Sequence, residues 1–535
     1  MTAQEDFAHN VDVLVVGAGP TGLLLAAELL RHQCSVLLVD KAAGPSAFSK
    51  GVVVHARTLE ILDAIGLADE LVARGVVVRG LSAFSDGEPW LAADFEELET
   101  RFPYLLSVAQ TDTEAVLSRW LERLGGRVVR GVELVALTGG EATVESSSGR
   151  ATVRAKWIVG CDGAHSTVRT LAAIPFAGKT YQETFVLGDL EIGWEGEVAA
   201  DRALLFTGKG GAAAFFPMRA NRWRLVAAVE AALAPGRDAP SLEELQSISD
   251  RMTLGRAKLR DPVWTHRFEV HSRQAATYRE GRVLLAGDAA HAQSPVGGQG
   301  LNTGLQDAHN LGFKLALACR GAGSAALLDS YHAERHPIGA RVLADTDLVT
   351  RLGSARSSFA RTLRDGVVRA LAGVARVEHR VLAHLAELDV GYEASPIVGE
   401  ARGVCSTRRS TTASRRGRRS QVGEPSTRAR ALAPSPRTGR SLERWRTRRS
   451  GRRRRSFACS TRASTRCSRS PVRAPTRASR ATPPQTFRAR SVSATRGSSR
   501  CCSCFSPPRT RLPRTSRRRT SMRAICASCS IRAGR

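Results

Sequence analysis

The apolar positions of the chain begin with two short runs separated by glycines. Val11 to Val16 is a β-branched run of the length of a buried parallel strand, and Leu23 to Leu30 continues as an apolar helix with Glu28 inside it. Between them lies Gly17-Ala18-Gly19-Pro20-Thr21-Gly22. In such a turn the first glycine bends the chain, the second lets the backbone approach a pyrophosphate, and the third lets the helix pack closely on the strand. The phosphates then meet the free N–H groups at the positive end of the helix. A second strand, Ser35 to Val39, ends at Asp40-Lys41, where a carboxylate 23 residues after Gly17 is placed to accept ribose hydroxyls. This predicts a βαβ unit holding a dinucleotide, without separating NAD from FAD.

Further along, the period changes. Residues 181–275 alternate apolar and polar positions, as in AAAFFPMR and RWRLVAAV, with Gly- and Ala-rich turns between them, and so predict a sheet. Tyr181, Phe185, Phe215, Phe216 and Trp223 are its candidate pocket aromatics, core packing being the commoner fate of such residues. Two further stretches carry strand-to-turn signals. WIVGCDGAHSTVR (157–169) runs into Asp162-Gly163, and RVLLAGDAAHAQSPVGGQGLNTGLQDAHNLGFKLA (282–316) passes a Gly287-Asp288 turn and a glycine-rich loop into a helix.

The three stretches together resemble the FAD-dependent aromatic hydroxylases, the single-component flavin monooxygenases related to p-hydroxybenzoate, phenol and polyketide hydroxylases. The likeness covers about residues 9–395. It implies an α/β fold: a Rossmann-like FAD-binding domain with an inserted, mostly β substrate domain, followed by a disordered Arg/Ser-rich tail. The expected division is 1–180 and 276–400 for FAD, 181–275 for the substrate sheet and 401–535 for the tail. By the same resemblance Asp288 holds the ribityl chain, and Gly297, Gly298, Gly300, Leu301 and Asn302 place backbone N–H groups and a helix start against the flavin's pyrimidine edge. Pro295 matches the family proline beside the flavin ring and is the one catalytic candidate. Asp162, Gly163 and Arg169 match the second nucleotide motif, Gln110 a glutamine that touches FAD, and Arg57 the stretch HARTLEIL. Two positions depart from the pattern: Asp40 stands where the family often has Glu, and Lys50 where it often has Arg, so a bidentate phosphate contact becomes a point charge.

The activity this implies is hydroxylation of a small phenolic or polycyclic aromatic substrate. NADPH or NADH reduces FAD, O2 adds at flavin C4a, and the terminal oxygen of the hydroperoxide passes to the ring. A flavin oxidoreductase without oxygenation, and a basic nucleic-acid-binding protein on a flavoprotein fold, are the alternatives. His291, His309, His332 and His336 lack a second ligand at metal spacing, so they read as packing residues and no metal is expected.

Composition changes this picture at one end only. The net charge of +29 comes from residues 401–535, whose 38 Arg stand against Glu424 and Glu443 with no Lys, a charge of +36; residues 1–400 are near −7. Of the eleven cysteines only Cys34, Cys161 and Cys319 precede the tail, too sparse for a disulfide framework. With no signal-like N-terminus and no apolar run of bilayer length, a cytoplasmic monomer or homodimer without a membrane segment is expected. Phosphate-binding arms use both Lys and Arg, whereas a displaced frame of GC-rich DNA yields Arg, Ser, Ala, Pro, Thr and Cys. The tail therefore reads as a frameshifted thioredoxin-like domain, which relatives carry at this point, ahead of a functional basic arm, and no specific nucleic acid is expected. The coding DNA decides between them: a frameshift requires an alternative frame, open to the end and rich in Leu, Val, Asp and Gly.

Overall fold

The computed structural model describes residues 10–138, 141–181, 183–208, 211–229, 238–353 and 375–398. The Arg/Ser-rich tail lies outside the described residues, and so does the expectation that it is disordered. The first sheet is built on β1 (Asn10–Val16), whose β-branched side chains are almost all buried. It is followed by α1 (Pro20–Arg31) and β2 (Val36–Asp40). Strand β1 sits between β2 and Gly149–Gly160, all parallel, with Val13 in register with both Val36 and Trp157. Val283–Leu285 and Val128–Arg130 extend the parallel order on either side. Because parallel strands are covered on both faces, their near-continuous Val and Leu runs form the larger core, which α1 joins through Leu23, Leu24, Leu25 and Leu29.

A second, seven-stranded sheet lies over one end of this unit. Its strands include β3 (Thr184–Trp194), β4 (Gly211–Met218) and β5 (Arg222–Val229). After α2 (Leu242–Thr253) it closes with β6 (Ala257–Phe268). Gly80–Ser85 and Glu88–Asp94 complete the far edge, so the sheet also takes two strands from upstream of residue 181. Helix α2 starts at Ser241, whose hydroxyl accepts the Glu244 N–H at 3.2 Å. Its apolar stripe, Leu245, Ile248 and Met252, covers one face of the sheet with Phe206, Phe215, Trp223 and Leu225. The opposite face is left toward the nucleotide-binding unit. A long helix, α3 (Gln299–Cys319), runs back through the larger core against α1, close enough that a Cβ on Gly312 would lie 3.0 Å from Glu28 Cβ. Among the described residues no helix is long and apolar enough to cross a membrane.

Candidate active site

Three distant stretches meet at the start of α1. Gly17 has φ +100°, and a Cβ there would collide with the Cys161 carbonyl, so the first loop lies directly on the residue before Asp162. A Cβ on Gly22 would collide with the Gly17 carbonyl and approach Cys161 Cβ at 3.3 Å. Thr21 Oγ1 would lie 2.7 Å from a Cβ on Gly287 and 2.5 Å from one on Gly304, so Thr21 sits against both the Gly287-Asp288 turn and α3. Gly19 is different: an added Cβ would meet no protein atom within 4 Å. The open side of the loop is at the second glycine, where a pyrophosphate would run toward the first turn of α1 with Pro20 at N1. Asp40 shapes this loop, accepting the Ala18 N–H at 2.7 Å and the Ala42 N–H at 2.8 Å.

The turn before α3 is held from below. Gly297 and Gly298 have φ of +84° and +67°, a conformation that only glycine adopts without strain. Asn302 donates to the carbonyls of Val53 and Gly298 at 2.9 and 2.8 Å and accepts the His55 N–H at 2.9 Å. Its side chain is thus fully used in fixing the helix start. His55 Nε2 lies 2.9 Å from the Gly297 carbonyl, and burial pushes this imidazole down to about 4, so it is neutral and donates there. The Pro295 carbonyl accepts the Gly298 N–H at 3.0 Å and closes the same turn. Two buried amide atoms near it, Gln293 Nε2 and Gln299 Oε1, have no partner among the described residues.

Asp288 is accessible to solvent although protein atoms surround it closely. Burial raises its carboxyl above the ordinary carboxylate range, while His291 and Lys50 pull the other way. The backbone beneath it is anchored by Asp307, which accepts the Gly287 N–H at 3.0 Å and is bound by His291 Nε2 at 2.7 Å and Arg335 Nε at 2.6 Å. On the other side Gln110 accepts the Gly51 N–H at 2.9 Å and donates to Glu114 at 2.8 Å, fixing the loop that carries Lys50.

Three sequence candidates point elsewhere. Asp162 caps the helix Thr167–Leu171, taking the Thr167 and Val168 N–H groups at 2.7 and 3.1 Å. Arg169 is a buried strut, donating to the carbonyls of Ala289 and Ala164 at 2.9 and 2.8 Å with its guanidinium 3.8 Å from the Phe176 ring centre. Arg57 pairs with Glu60 and donates to the Leu388 carbonyl at 3.1 Å.

The face of the second sheet away from α2 can be read from register. Thr265 and Arg267 of β6 bind Pro240 and Glu244 beside and on α2, so Trp264, His266 and Phe268 project to the opposite face. They share it with Asp189, Leu187 and Phe185 of β3, and with Val226, Ala228, Ala212, Ala214 and Phe216 on β5 and β4. The last five are only half-buried, whereas the intervening residues are fully covered. Arg224 and Asp189 form a buried ion pair on this face, and Arg224 also donates to the Lys50 carbonyl at 3.3 Å. Phe48, 56% exposed, meets Trp264 with ring centres 5.3 Å apart. The loop of Phe48 and Lys50 therefore lies along one side of the chamber face, the side of small and aromatic residues away from α2.

The Gly-rich loop, the Gly287-Asp288 turn and the helix start fit FAD, and the model for the FAD binding domain family matches residues 10–346. The chain belongs to the FAD-dependent aromatic hydroxylases. It is 37% identical to 6-methylpretetramide 4-monooxygenase of Streptomyces rimosus over 403 residues, covering 73% of this chain and 71% of that one. It is 34% identical to pentachlorophenol 4-monooxygenase of Sphingobium chlorophenolicum, covering 62% and 63%. Among solved structures it is similar to the OxyS anhydrotetracycline hydroxylase from Streptomyces rimosus, with a TM-score of 0.61, 35% identity and coverage of 73% and 78%. The protein is an FAD-dependent aromatic monooxygenase.

Phe48, Trp264 and His266, not singled out from the sequence, lie together on the face away from α2, while Phe215 and Trp223 are packed on the α2 side. The alternation W-x-H-x-F at 264–268 was the available signal; only the register says which way it faces. His291, His309 and His332 bind Asp307, Glu28 and the Tyr278 N–H, and His336 packs on Tyr278. Among the described residues no cluster of three His, Cys, Asp or Glu side chains could hold a metal.

Proposed function

We propose that this hydroxylase uses NADPH or NADH to insert one oxygen atom of O2 into a phenolic, polycyclic aromatic substrate. The observation that carries the reading is the half-buried, small-residue face of Ala212, Ala214, Val226 and Ala228, on the side of the sheet where Arg224 reaches the Lys50 carbonyl. Relatives named for 6-methylpretetramide and anhydrotetracycline support a multi-ring substrate.

FAD, when bound, would supply an electrophilic oxygen derived from O2. The chain's own residues do the rest. The Gly17–Gly22 loop would hold the pyrophosphate and Asp40 the ribose, while Asp288 would accept from a ribityl hydroxyl. The N-terminus of α3 and the Gln293 amide, unpartnered among the described residues, would favour negative charge on a flavin held there. Lys50 adds a positive charge on the same side. The roof and the Phe48–Trp264 contact exclude water from the reacting oxygen.

NADPH oxidation by the flavin-loaded protein is expected to be slow alone and to rise several-fold when a suitable phenol from a panel of naphthols and anthraquinone-type polyphenols is added. Equal rates with and without every aromatic in the panel would sink this reading.

A further inference from the structure

His266 occupies an unusual place on the chamber face. Its ring stacks on Phe268, with centres 5.7 Å apart and planes 12° from parallel, and tilts against Trp264 at 6.0 Å. Unlike Trp264, whose indole N–H is given to Asp189 at 2.8 Å, the half-buried imidazole has no hydrogen-bond partner among the described residues. Its nitrogens are not sealed in, because neither is among the buried polar atoms left without a partner. The small face of Leu187, Val226 and Ala214 extends sideways from it across β3, β5 and β4. The loop of Phe48 to Gly51 ties this face to the start of α3: Phe48 meets Trp264, Arg224 donates to the Lys50 carbonyl, and a Cβ on Gly51 would lie 3.6 Å from Leu301.

We propose that His266 is a catalytic residue that accepts a hydrogen bond from the phenol hydroxyl of the substrate and takes its proton during ring attack. The proposal rests on the phenol-hydroxylating reading above. Of the charged groups on the elements around the ring, Lys50 stands on the loop and Asp189 and Arg224 share the ring's face on β3 and β5, where they pair with each other; Arg267 turns to Glu244 and Arg222 to Asp261. Burial, aided by the Lys50 ammonium, holds the imidazole below its ordinary value, so it is neutral and able to accept at neutral pH.

The chemistry balances. Transfer of an electrophilic OH to the carbon ortho or para to the phenol oxygen forms a C–O bond from a ring π pair. The phenol oxygen becomes a carbonyl, and its proton passes to the imidazole. Loss of the C–H proton from the attacked carbon restores the aromatic ring. The second atom of O2 leaves as water, with both electrons of the cleaved O–O bond, and NADPH is the net reductant. An acceptor at the hydroxyl makes the ring more electron-rich as the oxygen arrives, which is where a transition-state interaction is needed.

Two variants separate this from a packing role. His266→Phe keeps an aromatic ring to stack on Phe268 but has no acceptor; His266→Gln keeps an acceptor without the aromatic stack. In the full-length, flavin-loaded protein, equilibrium dialysis should show 2-naphthol binding about 5–10-fold tighter than 2-methoxynaphthalene, the size of one hydrogen bond. His266→Phe should lose that preference while keeping its flavin content, and His266→Gln should keep part of it. Hydroxynaphthol formed per NADPH should fall at least several-fold in the Phe variant, with peroxide taking its place. A Phe variant that discriminates and hydroxylates as the parent does would overturn the assignment of His266 alone. A parent protein that hydroxylates 2-naphthol without preferring it over the methyl ether would do the same. A parent protein that binds and hydroxylates no aromatic would remove the assignment together with the substrate reading.

Discussion

Replacing Gly19 by alanine is expected to leave the apoprotein folded and to strip it of FAD. Gly19 has φ −73° and ψ −176°, which alanine adopts freely, and its Cβ would touch no protein atom within 4 Å. The only cost to the protein is an alanine at an N-cap, about 1 kcal/mol or less. The methyl group would instead stand where the pyrophosphate must approach the backbone, so FAD affinity should fall by about 100-fold, equivalent to ~3 kcal/mol. Gly22→Ala is the contrast. There the Cβ collides with the Gly17 carbonyl, a backbone atom that cannot step aside, and folding itself should suffer. The checks are urea unfolding of the two apoproteins and flavin titration of each by fluorescence quenching. A Gly19→Ala protein that binds FAD as the parent does would mean that the phosphates do not cross this glycine.

Arg335→Met should be the most damaging single change in the support beneath the cofactor turn. Arg335 and Asp307 are both wholly buried, and Arg335 also donates to the Thr303 carbonyl and Tyr392 hydroxyl at 3.1 Å. Removing the cation leaves Asp307 facing only His291, a loss of about 3–5 kcal/mol. Because Asp307 also accepts the Gly287 N–H, flavin retention should weaken in parallel. A double variant with Asp307→Asn should cost less than the sum of the single changes, and additive losses would show that the pair is not coupled.

The same cluster sets a pH dependence. The Asp307 carboxylate is held low despite its burial by Arg335 and His291, so its contribution is present above the ordinary 3.8 and lost as pH falls through the lower folded value. The His291 imidazole is raised despite burial by Asp307, so its contribution is full below 6.5 and is lost as pH rises through the higher folded value. Stability measured from pH 6 to 9 should therefore decline in the parent and stay flatter in His291→Asn.

The nucleotide loop was legible in the sequence because each glycine there answers a local need. Gly17 needs a positive φ, Gly19 an open side and Gly22 a close approach, and all three follow from spacing. The Gly297-Gly298 turn was legible for the same reason. Roles that depend on where a side chain ends up were less so. Asp162 lies beside the nucleotide loop yet caps a helix, a use signalled only by Ser166-Thr167 four and five residues on. Arg169 and Asn302 lie in the matched stretches but support the turns from behind. The roof was legible as alternating strands. Its two faces were not, because a shift of one residue in register exchanges them, and long-range partners such as Glu244 and Lys50 decide which side faces α2 and which the loop of Lys50.

The claim that joins these parts is that one FAD site, under this roof, places an oxygen atom from O2 on an aromatic ring. It is tested most directly by turning over 2-naphthol, or the best phenol of the panel, under isotopically heavy O2 in ordinary water and weighing the product. The account predicts one heavy oxygen atom in each hydroxylated molecule. NADPH consumed with only peroxide formed, or a product whose new oxygen comes from water, would contradict it.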